Sequence, residues 1–115
     1  MKKDLFKTID TVIRQERLYA QINLMREDIM HRFGIGRHHL NDQLNTFADG
    51  MSFPQYINSI RMEVAYDLLT NHPEMTIADV AREVGFTAPN FREQFKRCYG
   101  VTPAEYRAGL VIDDD

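Results

Sequence analysis

The sequence predicts an all-α fold of about seven helices, and three observations predict it. Apolar residues recur at three- and four-residue steps, the period that gathers them on one face of a helix. Three of those stretches open on a hydroxyl residue followed three positions later by a carboxylate or amide, and three stop at glycines. The pattern also occurs twice. Ile29, Met30, Phe33, Gly34, Ile35, Leu40 and Leu44 stand 51 positions before Val80, Ala81, Val84, Gly85, Phe86, Phe91 and Phe95, and Gly50 and Tyr56 stand 50 before Gly100 and Tyr106.

Taken in order, Asp4 is a cap for a first helix running to about Arg17, with Leu5, Phe6, Ile9, Val12 and Ile13 on its inner face. Asn23 is a plausible cap for a second helix carrying Leu24, Ile29, Met30 and Phe33 and stopping at Gly34. A third helix over about 36–47 turns Leu40, Leu44 and Phe47 inward. Ser52-x-x-Gln55 is a capping box with Pro54 in the first turn, and the helix it opens shows Phe53, Ile57, Ile60, Val64 and Leu68 on one stripe, widened by Tyr56, Ala65 and Leu69. Pro73 biases His72 away from helix and ends it. About 17 residues at ~1.5 Å each make a rod of ~25 Å.

Thr76-x-x-Asp79 then caps a short helix with Ile77, Val80, Ala81 and Val84 on its apolar face, and Gly85 supplies the stop. The next helix starts near Thr87, at or just before Ala88 because Pro89 fits only in a first turn; it buries Phe91 and Phe95 and stops at Gly100. Thr102-Pro103-x-Glu105 opens the last helix. Two helices packed steeply around a glycine turn form a helix-turn-helix, whose second helix commonly enters a DNA major groove. The repeat therefore predicts two helix-turn-helix subdomains of homeodomain-like type: 1–51 and 71–115 (the latter with an acidic tail), joined by a linker helix over 52–70.

Gly85-Phe86, Phe91-x-x-x-Phe95-Lys96 and Tyr99-Gly100-Val101-Thr102-Pro103-x-x-Tyr106-Arg107 resemble the C-terminal signature of the AraC/XylS family of bacterial transcription regulators. With the doubling, the resemblance covers roughly 5–108. It implies sequence-specific binding to double-stranded DNA, activation through contacts with RNA polymerase, and a sensing or dimerising domain in front of this part in many members. The rod would then hold two recognition helices for successive major-groove faces ~34 Å apart, helix width and offset supplying what its length does not.

On that reading the outward residues of the first recognition helix are Arg37, His38, Asn41, Asp42 and Asn45, and those of the second are Asn90, Arg92, Glu93, Lys96 and Arg97. Arg92 suits guanine, Asn41 or Asn90 adenine, and Lys96 or Arg97 phosphate. Thr87 can offer a hydroxyl or backbone N–H to phosphate, and Arg107 is a further backbone contact. Asp42 and Glu93 share one slot of the repeat, where the family often carries a long basic residue; a carboxylate there can accept from cytosine or repel phosphate. The family's second unit also usually has one more residue between the Gly-Phe turn and the first helix aromatic, which leaves the register of 88–93 open by one position.

Composition bounds the alternatives. A chain of 115 residues is sized for one small domain with a single core, and no apolar run approaches the ~20 residues of a membrane span. The start, MKKDLFKTIDTV, has no apolar signal core, so a cytoplasmic protein is expected. The net charge of −3 is awkward for a DNA binder. Positions 86–115 hold four basic and five acidic residues, but three of the acids are the terminal Asp113, Asp114 and Asp115; without them the segment is +2. The charge predicts modest non-specific affinity, and it keeps open a protein-interaction module of the same fold that has lost DNA binding.

His38 and Asp42, with His39 beside them, have no third convergent ligand and read as a solvated face rather than a metal site. Cys98 reads as a small core residue, the methionines as packing, and Phe91 and Phe95 as core rather than base-stacking platforms. No phosphate loop, triad or paired catalytic carboxylates stands out, so neither an enzyme nor a cofactor is expected.

Overall fold

The computed structural model describes residues 2–112; the terminal Asp113–Asp115 tail lies outside the described residues. Among the described residues there are seven α-helices: α1 (Lys2–Gln15), α2 (Arg26–Phe33), α3 (Arg37–Phe47), α4 (Phe53–Asn71), α5 (Ile77–Glu83), α6 (Ala88–Tyr99) and α7 (Pro103–Ile112), with a 3-10 turn at Leu18–Ala20. They divide into two compact units, 1–60 and 61–115, so α4 gives its first half to one and its second half to the other. The single core expected from chain length is therefore two cores.

In the first unit Ile9 and Ile13 of α1, Ile29 of α2, Leu40 and Leu44 of α3, and Phe53, Tyr56, Ile57 and Ile60 of α4 are buried. Phe6 packs its ring against Phe47 and Tyr56, with centroids 5.8 and 5.7 Å apart. The Tyr56 hydroxyl donates to the Asp10 carboxylate, which also holds Arg14 at 2.9 Å. Two helix starts differ from the sequence expectation. α1 begins at Lys2, so Asp4 lies inside the first turn, where its charge faces the positive helix end, rather than capping it. α2 is capped at Met25 rather than at Asn23, because the Asp28 carboxylate reaches back 2.8 Å to accept the Met25 N–H. Before it, Arg17 takes a left-handed conformation (φ 55°) that ends α1, and Arg32 of α2 reaches Glu16 with both guanidinium Nη atoms.

In the second unit Met62, Ala65 and Leu69 of α4 are buried with Val80, Ala81, Val84, Phe86, Phe91 and Phe95. Arg61 lies over the Phe86 ring, 5.3 Å from its centroid, and burial lowers its pKa. Cys98 is exposed, contrary to its expected core place. The buried residues of α6 are Phe91 and Phe95; beyond them Tyr99, itself 40% exposed, packs its ring on Phe95 with centroids 4.6 Å apart and donates its hydroxyl to the Met62 carbonyl, and residue 98 falls outside this stripe. Among the methionines, Met62 is buried whereas Met25 is 61% exposed, so the latter is not packing.

The repeat is visible in the backbone bonds themselves. In the first turn Gly34 N–H donates to His31 O and Ile35 N–H to Met30 O; in the second, Gly85 N–H donates to Arg82 O and Phe86 N–H to Ala81 O, every partner displaced by 51. Gly34 (φ 62°) and Gly85 (φ 85°) both need the left-handed region that a side chain disfavours. Leu40 N–H to Gly36 O and Phe91 N–H to Thr87 O repeat the same displacement, which sets the start of α6 in register with that of α3.

Candidate nucleic-acid interface

α3 and α6 are the second helices of the two helix-turn-helix units. The buried residues of α3 are Leu40, Gln43 and Leu44, and those of α6 are Phe91 and Phe95. That inner stripe turns Arg37, His38, Asn41, Asp42 and Asn45 outward on α3 and Asn90, Arg92, Glu93, Lys96 and Arg97 outward on α6, all exposed. Thr87 is the N-cap of α6. Its hydroxyl oxygen accepts the Asn90 N–H at 3.4 Å, which leaves the hydroxyl proton to donate outward.

On α6 the outward residues border a groove of about 370 Å³ lined by Pro89, Arg92, Glu93, Lys96 and Thr102. Its far wall is the start of α7. There Thr102 and Glu105 form a reciprocal capping box, Glu105 N–H to Thr102 Oγ1 at 3.1 Å and Thr102 N–H to the Glu105 carboxylate at 2.8 Å. Hydrogen bonds from Thr102 hold the Glu105 carboxyl below the usual range, with Lys96 and Arg92 adding attraction across the groove. In the sequence Thr102 shows only as a cap; its place beside the α6 cations depends on how α7 folds back, which no spacing records.

Arg107 is the one site candidate that the structure turns inward. Its guanidinium donates to three carbonyls at and just after the end of α4: Leu69 O at 3.4 Å, His72 O at 3.0 Å and Met75 O. The C-terminal carbonyls of a helix are its negative pole, and a planar cation satisfies several of them together. This commits Arg107 to holding α7 on α4 rather than to a phosphate.

The other arginines sort clearly. Arg14, Arg26, Arg32 and Arg82 are held by carboxylates, Arg107 by carbonyls and Arg61 over Phe86, and Arg17 also has a partner. Among the described residues, the arginines with no hydrogen bond or ion pair are Arg37, Arg92 and Arg97, and all three stand on α3 or α6. Among the described residues there is also no group of three or more His, Cys, Asp or Glu placed to hold a metal, and no helix is long and apolar enough to cross a membrane.

Residues 29–109, which hold both helix-turn-helix units, match the family model described as "Helix-turn-helix domain". The chain belongs to the AraC-type helix-turn-helix family. This AraC-type domain is 33% identical over 89 residues to the HTH-type transcriptional regulator ExsA of Pseudomonas aeruginosa, covering 71% of this chain and 29% of ExsA. It is 31% identical over 93 residues to the regulator MtrA of Neisseria gonorrhoeae, covering 80% and 27%. The chain thus spans under a third of the length of these curated relatives. Among solved structures, the C-terminal domain of AraT, a response regulator from Geobacillus stearothermophilus, matches with a TM-score of 0.79 at 28% identity, covering 90% of this chain and 84% of that one. The DNA-binding domain of AdpA, solved in complex with a target DNA, shares the fold over 95% of both chains with a TM-score of 0.82 at 20% identity.

Proposed function

We propose that this AraC-type domain binds double-stranded DNA sequence-specifically through α3 and α6 and so regulates transcription. The observation that carries the reading is the arrangement of the arginines: among the described residues, those with no hydrogen bond or ion pair all stand on the two recognition helices. A cation that no internal hydrogen bond or ion pair engages keeps its full donor set for phosphate or a guanine edge. On this reading Arg92 pairs with guanine, Asn41 and Asn90 with adenine, and Lys96 and Arg97 with phosphate; His38, Asn45, Arg37 and Thr87 complete the contacts. The AdpA domain solved with its target DNA supports the reading by sharing the fold. The two units read adjacent major-groove segments, RNA polymerase is the partner through which a bound regulator activates, and the cytoplasm is where it acts.

The experiment is a salt titration of duplex binding for the wild type and for Arg37→Ala, Arg92→Ala and Arg97→Ala. Wild-type affinity should fall along a log–log slope of about −0.9 per phosphate neutralised, and each variant should bind more weakly. Absence of measurable duplex binding at low salt would leave the fold as a protein-interaction module and end this proposal.

A further inference from the structure

Asp42 and Glu93 are each the sixth residue of their recognition helix, α3 from Arg37 and α6 from Ala88, and each stands 51 positions from the other. Both are exposed. Each directly follows a residue assigned above to base reading, Asn41 or Arg92. Among the described residues neither carboxylate takes part in a hydrogen bond or ion pair. Asp49, in the loop after α3, is likewise without one, whereas Asp10 holds Arg14, Asp79 holds Arg82 and Glu16 holds Arg32. Glu93 has Lys96 one turn ahead, the same i, i+3 spacing at which Asp79 meets Arg82 at 2.7 Å, yet it makes no such pair. On α3 no Lys or Arg stands three or four residues from Asp42.

Unpaired carboxylates on a face turned to polyphosphate cost affinity for every sequence alike, since like charges repel. They are compensated only where the duplex offers a donor. The donor that suits a carboxylate in the major groove is the exocyclic amino group of cytosine. We propose that Asp42 and Glu93 are a matched pair of specificity-determining residues: each accepts a hydrogen bond from a cytosine amino group and repels the duplex where that group is missing. Specificity is a difference of affinities, and the repulsive half of the pair's action widens it. The proposal rests on α3 and α6 being the helices that contact the duplex, and it concerns each unit separately.

The test selects bound duplexes from a random pool with the full chain. It compares the wild type with Glu93→Gln, Glu93→Ala, Asp42→Asn and Asp42→Ala, all at exposed positions, with thermal melting to show that each variant folds. The wild type should enrich cytosine at one position per recognition helix. Each alanine variant should lose its own cytosine preference, by on the order of tenfold, and bind random duplex more tightly than the wild type. The amides should shift enrichment at that position toward adenine, whose N6 and N7 suit a carboxamide. Cytosine enrichment that survives in the alanine variants, or that is missing in the wild type, overturns the pair while leaving the duplex-binding reading standing if Arg92→Ala still weakens binding. A wild type without salt-sensitive duplex binding overturns both.

Discussion

Gln43 sits on the buried face of α3 at 1% exposure, and its side-chain oxygen meets no donor among the described residues. A buried polar atom left without a partner costs about 1–3 kcal/mol of desolvation. Gln43→Met keeps the volume and removes the polar group, so it should raise the thermal midpoint by a few degrees, as about 1 kcal/mol does in a domain of this size. A lowered midpoint would show that the amide is satisfied in solution. The repeat counterpart, Gln94, is only half-buried and should respond less. Arg92 belongs to the same scale with a different readout. Arg92→Ala should relax base preference at one position by roughly 1–3 kcal/mol, whereas Lys96→Ala should weaken binding evenly across sequences, both visible in competition against altered duplexes.

Among the elements, the helix starts share one device with two chemistries. α5 and α7 open on boxes with a carboxylate, Thr76 with Asp79 and Thr102 with Glu105, whereas α4 opens on Ser52 with the neutral Gln55. Hydrogen bonds from Thr76 and Thr102 lower the pKa of Asp79 and of Glu105. A carboxyl whose pKa is lower folded than unfolded contributes stability above the ordinary carboxylate range and loses it as pH falls through the folded value. The thermal midpoint should therefore drop as pH falls through and below the ordinary carboxylate range, and Thr76→Ala with Thr102→Ala should flatten that drop; an unchanged profile would show that other carboxyls govern it. The Arg107 clasp separates from DNA contact in the same way. Arg107→Ala should lower the melting temperature by freeing the α4 carbonyls while leaving the salt slope of duplex binding unchanged; a slope shallower by about 0.9 with unaltered melting would make it a phosphate contact after all.

For the whole molecule, charge and duplication set the behaviour. A net charge of −3 gives little long-range attraction to a polyanion, so non-specific binding should be weak and affinity should depend on the matched contacts of α3 and α6. Selection from a random duplex pool should return two short blocks about one helical turn apart. A single block lost on Arg92→Ala but untouched by Asn41→Ala would mean that only the second unit reads bases.

Much of this was legible in the chain because it is local. Capping boxes, glycine stops and apolar periodicity act within a few residues, so α3, α4, α5, α6 and α7 begin where hydroxyl, glycine or proline chemistry says they should. The 51-residue repeat carried the doubled architecture and the shared slot of Asp42 and Glu93. What the sequence could not reveal depends on contacts between distant residues. Cys98 was expected inside as a small apolar residue, but it is exposed, and the neighbouring Tyr99 is the one that packs on Phe95 and donates to the Met62 carbonyl. Arg107 read as a phosphate contact until the end of α4 proved to offer its carbonyls. By itself the sequence determined the helices, their order and the faces they expose, since those follow from the next four residues. Only the tertiary structure decided which arginines are already held and which, among the described residues, stand without a hydrogen bond or ion pair, because that depends on partners up to 38 positions away.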